Sequence, residues 1–216
     1  MMNPQPRRFF LALCLLALLA TPAAAAQEGT LVYRKVFKGS TPEFTEIRVK
    51  ADGTASYDIR NLSDEAEAVP FEVGPAVTQK LFELAGQLSY FRGVELDTRR
   101  RIANLGQKTF RYEGADGASE TSFNYTVNGT AAQLLQLFEG LARQQDHLGI
   151  LQRRMRFDRL GVHEALVQLE VDMNRKIIPE PEVLLPTLEQ IAADARFVEI
   201  ARGRARALIE RIRGGK

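Results

Sequence analysis

Arginines near the carboxyl terminus are the residues best suited to binding chemistry in this chain. Arg202, Arg206 and Arg213 fall roughly on one side of a predicted last helix whose other side is apolar. Guanidinium groups bind carboxylates and phosphates, and basic amphipathic helices are typical of proteins that rest on anionic lipid. The pattern therefore predicts a binding face for a protein or for an anionic envelope surface. The alternative interpretation is a solvated face whose arginines pair with Glu199 and Glu210.

A second basic cluster lies in a predicted loop in the middle of the chain. Arg99, Arg100 and Arg101 follow one another there, two residues after Asp97. Three adjacent guanidinium groups could hold an anion, but no glycine-rich phosphate cradle accompanies them. We therefore treat the cluster as a candidate anion site, with a solvated loop as the alternative.

Patterns that would indicate catalysis are missing from the sequence. The only histidines are His147 and His163, and no Gly-x-Ser-x-Gly nucleophile elbow is present. The segment from His163 begins like a zinc-binding His-Glu-x-x-His helix, but Val167 stands where the second ligand is needed. The sequence predicts no metal and no cofactor, and it favours a binding or scaffold protein without catalysis. A hydrolase with an unrecognised carboxylate or hydroxyl site is the alternative, because such sites assemble in space.

The first 26 residues have the composition of a secretory signal peptide. Arg7 and Arg8 precede an uncharged apolar run over 9–20, and alanines over 23–26 provide Ala-x-Ala cleavage sites. The run is shorter than the roughly 20 residues that span a membrane. We expect cleavage near Ala26, no transmembrane span afterwards, and a periplasmic or secreted protein. The segment 7–11 also resembles the twin-arginine export signal, which is the alternative to ordinary secretion.

Removal of this segment changes the charge of the protein. The whole chain has 29 basic and 27 acidic residues, and the signal contains two arginines and no acid. The mature protein is therefore neutral, which argues against nucleic acid as a partner because such binding depends on neutralising phosphates. Residues 27–149 are net acidic and residues 150–216 net basic, which favours docking of the two segments. The single cysteine, Cys14, lies in the signal, so no disulfide is expected.

Two sequence periods predict the elements that position these residues. Alternation with period two predicts strands over 31–37, 45–50, 55–59, 108–113 and 121–127. Asp52-Gly53 indicates a type I′ turn, and the run 114–119 indicates a longer hairpin loop. Apolar residues at a spacing of three or four predict helices after Pro75 and after a capping box formed by Thr130 and Gln133. Phe110, Tyr112, Phe123 and Tyr125 are expected to pack under the second helix.

Together these elements predict an α+β fold. Hairpins and helices alternate as ββα-ββα, which implies an antiparallel sheet with helices on one face. We expect a signal peptide over 1–26, a sheet domain over 27–149, and a C-terminal helical segment over 150–216 packed on it. In that segment the apolar stripe from Leu160 to Ile177 predicts one helix, and two more are predicted after Pro186 and from Val198.

One part of the chain also resembles a known group of proteins. A hydrophobic strand is followed by an Asp-Gly turn, a tyrosine-bearing strand and a helix that ends near a phenylalanine, on residues Ile47, Asp52, Gly53, Tyr57, Phe82, Leu84 and Phe91. This segment resembles small exported bacterial domains of unknown function. The resemblance implies an α+β domain and export, and it assigns no activity.

Overall fold

A computed structural model of the chain describes residues 29–98 and 100–215. The expected signal peptide, the cleavage site near Ala26 and Arg99 lie outside the described residues. Within these ranges, six strands form one sheet in which every neighbouring pair is antiparallel, in the order β4-β3-β2-β1-β5-β6. The strands are β1 (Gly29–Val36), β2 (Phe44–Lys50), β3 (Thr54–Arg60), β4 (Val69–Glu72), β5 (Gln107–Gly114) and β6 (Gly117–Phe123).

Five α-helices accompany the sheet in the described part of the chain. They are α1 (Pro75–Gln87), α2 (Gly129–Phe157), α3 (Val162–Asn174), α4 (Leu185–Ala193) and α5 (Glu199–Arg213). The α+β fold with a helical C-terminal segment is therefore confirmed. Strand β4 was not expected from the sequence. It is short and contains Pro70, which an edge strand tolerates because one side of its backbone has no partner.

One face of the sheet packs on α1 and the first half of α2. Leu31, Tyr33, Ile47, Phe110 and Phe123 alternate along their strands and are all buried. They meet apolar residues of the two helices, including Leu81, Leu84, Leu134, Phe138 and Leu141. Each such side chain contributes about 1.5–3 kcal/mol when it is removed from water. This cluster is the first core of the protein.

The other face of the sheet carries charged residues that pair with one another. Each surface ion pair stabilises the fold by only about 0–1 kcal/mol. Because basic and acidic residues alternate, this face of the sheet has no large excess charge. The network joins, in order, Arg34, Glu46, Arg48, Glu113, Arg111 and Glu120, with N–O distances of 2.6–3.5 Å.

A second core lies between the last part of α2 and the helices α3, α4 and α5. It contains Leu151, Leu166, Leu169, Leu188, Ile191 and Leu208. Helix α2 is continuous across residues 149 and 150, where the sequence suggested a domain boundary, so the two cores share one helix. Gly140 of α2 allows the Ile177 carbonyl to approach closely, since a Cβ on this glycine would lie 2.5 Å from that oxygen.

Polar contacts also join the two segments. Asp172 of α3 accepts from Arg143 Nε at 2.7 Å and lies 2.9 Å from His147 Nε2, both on α2. Glu180, in the connector between α3 and α4, accepts from the Gly74 amide at 2.7 Å, immediately before α1. The helical segment is therefore tied to both helices that cover the sheet.

The capping box predicted at the start of α2 is wrong. Asn128 is the N-cap, and its side-chain oxygen accepts from the Ala131 amide at 3.0 Å. Thr130 lies within the first turn of the helix, so its hydroxyl is not in the capping position. Asparagine is at least as good an N-cap as threonine, which explains why the helix begins earlier.

Both hairpin turns also differ from their predicted forms. At the β2–β3 turn only Gly53 has a positive φ, of +88°, so a type I′ turn is excluded. Asp52 instead accepts from the Thr54 amide at 2.8 Å. Gly114 pairs directly with Gly117, so the β5–β6 loop has two residues and is not long. In each turn an aspartate, Asp52 or Asp116, precedes a glycine with positive φ.

Two predicted apolar stripes are shorter in the structure than in the prediction. Strand β6 stops at Phe123, because the amides of Asn124 and Tyr125 donate to the Asp97 carboxylate at 3.1 and 3.2 Å. Tyr125 is consequently 42% exposed and does not pack under α2. Helix α3 begins after Gly161, so Leu160 precedes the buried stripe and is exposed.

Candidate binding cleft

A cleft with a volume of about 870 Å³ lies between α1, the start of β1 and the β2–β3 turn. We call it the α1 cleft. Phe82 and Tyr90 supply aromatic surface, while Asp52, Gln79 and Glu83 supply oxygen atoms. Apolar walls with a few polar groups are typical of sites for small ligands.

The polar groups of the cleft are held on ordered elements. Gln79 and Glu83 lie one turn apart on α1, and the Gln79 amide nitrogen donates to the Glu83 carboxylate at 2.7 Å. The hydrogen bond from the Thr54 amide lowers the pKa of Asp52, so this carboxylate is ionised at neutral pH. Pro75 begins α1, a position where its missing N–H costs nothing. The cleft therefore presents two carboxylates and an amide carried by a helix and a tight turn.

Tyr90 reaches the cleft through an unusual backbone conformation. Ser89, Tyr90 and Phe91 follow one another with φ of +52°, +48° and +68°, and none of them is glycine. The left-handed conformation costs an ordinary residue roughly 1–2 kcal/mol. Such strain persists only where the surroundings enforce it, and it is concentrated at functional sites. We call residues 89–91 the left-handed turn.

Three contacts hold the left-handed turn in place. Phe91 is fully buried, and its ring stacks on Phe110 with centroids 5.5 Å apart. The Ser119 hydroxyl of β6 donates to the Tyr90 carbonyl at 2.5 Å. The Phe91 amide donates to the Leu88 carbonyl at 2.9 Å. Burial of one ring thus fixes the direction in which the neighbouring tyrosine points.

Tyr112 forms the aromatic partner of Tyr90. The ring centroids of Tyr90 and Tyr112 are 4.4 Å apart. Tyr112 in turn lies against two glycines, because a Cβ on Gly29 or on Gly114 would come within 2.6 Å of its ring. Sequence reasoning placed Tyr112 in the core but missed Tyr90, since nothing in Ser-Tyr-Phe indicates a left-handed backbone.

A second cleft, of about 620 Å³, lies at the far end of β1 beside α2. Its charged groups are already engaged. Glu139 accepts from the Tyr33 hydroxyl at 3.2 Å and from Lys35 Nζ at 3.5 Å. Burial lowers the pKa of Lys108, whose ammonium group donates to three carbonyl groups, those of Leu105, Gly106 and Asn124. This arrangement ties two loops together, and we regard it as structural.

The arginines that the sequence singled out on α5 are paired with acidic residues. Arg202 and Arg206 both contact Glu199, and Arg213 contacts Glu189 of α4 at 2.6 Å. The neighbouring Arg204 pairs with Glu170 and Arg211 donates to Asn174. The pairing with Glu199 matches the solvated-face interpretation of these residues, and much of their charge is already balanced.

The arginines of the central loop lie in a different part of the fold. Arg100 and Arg101 are exposed in the loop between α1 and β5. In space this loop runs beside the segment after β6, since the Thr98 amide donates to the Tyr125 carbonyl at 2.9 Å. Helix α5 belongs to the second core, so the structure does not bring the two arginine sets together.

His147 occupies a structural position. His147 is buried between α2 and α3, and no hydroxyl side chain hydrogen-bonds to it in the described part of the chain. Burial would raise the pKa of Asp172, but hydrogen bonds from Arg143 and His147 outweigh burial and lower it. The described residues contain no group of three or more histidine, cysteine, aspartate or glutamate side chains placed to hold a metal.

No helix in the ranges that the structure describes is long and apolar enough to cross a membrane. Comparison of the chain with models of known protein families and with curated proteins gave no match. The candidate site is therefore defined by its own geometry, and the left-handed turn beside the α1 cleft is its most distinctive feature.

Proposed function

We propose that this protein is an exported binding protein that holds a small ligand in the α1 cleft. The observation that carries the proposal is the left-handed turn, a strained backbone that places Tyr90 at the wall of this cleft. A position maintained against strain indicates that the position itself is used. Export rests on the composition of residues 1–26.

The lining of the cleft suggests the chemistry of its ligand. Tyr90 and Phe82 offer flat apolar surface, and Asp52, Glu83 and Gln79 offer acceptors for hydroxyl or ammonium donors. Lys50 is the basic residue of the lining, so carboxylates outnumber cations there. A small ligand with one apolar face and several hydroxyl or amino groups, such as a saccharide or an amine, complements this surface.

We assign no catalytic step to the cleft. A carboxyl group that acts as a general acid near neutral pH needs a raised pKa, whereas the pKa of Asp52 is lowered. Burial raises the pKa of a different carboxyl group in this part of the molecule, that of Glu180. Glu180 binds the Gly74 amide between the two segments of the chain and does not line the cleft.

A ligand screen with matched tyrosine variants tests the proposal. The chain has five tyrosines and no tryptophan, so tyrosine fluorescence and thermal shift report binding without other chromophores. Panels of saccharides and amines are tested on the mature protein, on Tyr90→Ala and on Tyr125→Ala, an exposed tyrosine outside the cleft. We expect at least one compound to stabilise the wild type and the Tyr125 variant and to lose affinity for the Tyr90 variant. Binding that Tyr90→Ala leaves unchanged would refute this site.

A further inference from the structure

The turn between α2 and α3 carries the two most exposed large apolar side chains of the described residues. Phe157 is 84% exposed and Leu160 is 77% exposed. They lie three residues apart, at the end of α2 and just before Gly161, the N-cap of α3. We call residues 153–160 the hairpin tip. Side chains this exposed stand clear of both cores, and neither belongs to either apolar cluster.

The hairpin tip is also basic. It contains four arginines and one acid, Asp158. Arg154 is balanced, because it contacts Glu164 at 3.0 Å, and the Asp158 side chain accepts from the Gly161 amide at 2.9 Å. The other three arginines make no ion pair within the described ranges, and all are exposed; they are Arg153, Arg156 and Arg159. This distinguishes them from the paired arginines of α5.

The neighbouring loop does not neutralise this charge. Asp194 lies near Arg159, but it is occupied by Arg196, whose guanidinium contacts it at 2.6 Å. Hydrogen bonds from Arg196 lower the pKa of Asp194 to about 2, and Arg159 adds a smaller electrostatic effect. Asp194 is therefore already paired with a cation and does not neutralise Arg159.

We propose that the hairpin tip docks on the surface of an anionic lipid bilayer, with Phe157 and Leu160 entering the interfacial layer and the arginines contacting headgroup phosphates. Exposed apolar side chains surrounded by unpaired cations are the combination that interfacial binding requires. Long arginine side chains can keep their charge at headgroup level while their stems contact acyl chains. A protein partner fits less well, because a stable protein interface buries about 800 Å² on each side and a two-residue projection offers much less.

A single-tryptophan variant tests insertion directly, because the chain has no tryptophan of its own. Phe157→Trp in the mature protein is mixed with vesicles of equal parts phosphatidylcholine and phosphatidylglycerol. We expect its emission to shift to shorter wavelength and to be quenched by brominated acyl chains. Val127→Trp, at an exposed apolar position outside the tip, is the control and is expected to show neither effect. A Phe157→Trp spectrum that the anionic vesicles leave unchanged would overturn the proposal.

Cosedimentation with the same vesicles separates the apolar and the electrostatic contributions. Phe157→Ser with Leu160→Ser is expected to weaken binding at least about tenfold, since each side chain leaves water on insertion. Arg→Gln at 153, 156 and 159 is expected to weaken binding about fivefold for each arginine and to abolish its dependence on salt. Binding to pure phosphatidylcholine vesicles should be much weaker than binding to the anionic ones.

A matched surface variant controls for general charge and apolarity. Val127→Ser with Arg100→Gln and Arg101→Gln changes exposed residues outside the tip and should leave vesicle binding unchanged. Equal loss in this variant, or vesicle binding that survives both tip variants, would overturn the assignment. Capture of an acidic protein that outcompetes the vesicles and needs the same tip residues would likewise replace the bilayer as the partner. Far-UV circular dichroism of each variant excludes unfolding as the cause.

Discussion

Replacing Ser89 by glycine should stabilise the protein. Ser89 begins the left-handed turn with φ of +52°, is exposed, and makes no side-chain hydrogen bond among the described residues. Glycine removes a conformational cost of roughly 1–2 kcal/mol but loses about 0.5–1 kcal/mol more backbone entropy on folding. We expect a net gain of about 0.5–1 kcal/mol, which for a protein of this size raises Tm by about 1–4 °C.

Substitution by glycine at a residue with a right-handed helical backbone supplies the control. Gln136 is exposed in the interior of α2, and Gln136→Gly should destabilise the protein by about 1 kcal/mol. Urea unfolding followed by far-UV circular dichroism measures both variants against the wild type. We predict opposite effects on the free energy of unfolding: Ser89→Gly should raise it, and Gln136→Gly should lower it. If Ser89→Gly destabilised the protein as Gln136→Gly does, the strain assigned to the left-handed turn would be refuted, and with it the main support for the α1 cleft.

Three further predictions concern the core, pH and processing. Leu169 is fully buried in the second core, so Leu169→Asp should lower the free energy of unfolding by about 2–5 kcal/mol. Because α2 joins the cores, calorimetry should show one unfolding transition at a lower temperature. Two separate transitions would contradict the shared helix. Burial raises the pKa of Glu180 above 4.5, so its contribution to stability is present at acid pH and is lost as pH rises through the folded pKa. Glu180→Gln, which can still accept from the Gly74 amide, should therefore gain urea resistance relative to the wild type as pH rises to neutral, and an unchanged difference between acid and neutral pH would count against this. N-terminal sequencing of the exported protein should begin close to Gln27, whereas Met1 retained on a cytoplasmic protein would disprove export.

The continuous helix α2 has a consequence for how the cores behave. Its first half covers the sheet, and its second half forms part of the second core with α3, α4 and α5. Arg143 and His147, near the middle of α2, both contact Asp172 of α3. A helix that loses packing at one end also loses support at the other, so the two segments are expected to unfold together even though their apolar clusters are separate.

Strand and helix positions were largely predictable because burial leaves a period in the sequence. Leu31 and Tyr33, or Ile47 and Val49, are two residues apart and face the same core. The alternation gave a wrong prediction where it continued past the end of a strand. Tyr125 extends the alternation of β6, but Asp97 binds its amide and turns the chain away from the sheet. That contact joins residues 28 positions apart, and no local pattern records it.

The sequence by itself determined the α+β class, the hairpins and the helices of the C-terminal segment, because each depends on which side of one element faces a core. The tertiary structure alone decided the features on which function is proposed. The left-handed turn exists because Phe91 is buried and Ser119 binds the Tyr90 carbonyl. Arg204 and Arg213 of α5 pair with acids on the neighbouring helices α3 and α4, whereas Arg153, Arg156 and Arg159 of the hairpin tip have no such partner among the described residues. Pairing of charges and strain of the backbone arise between residues that are distant along the chain, so neither can be read from spacing.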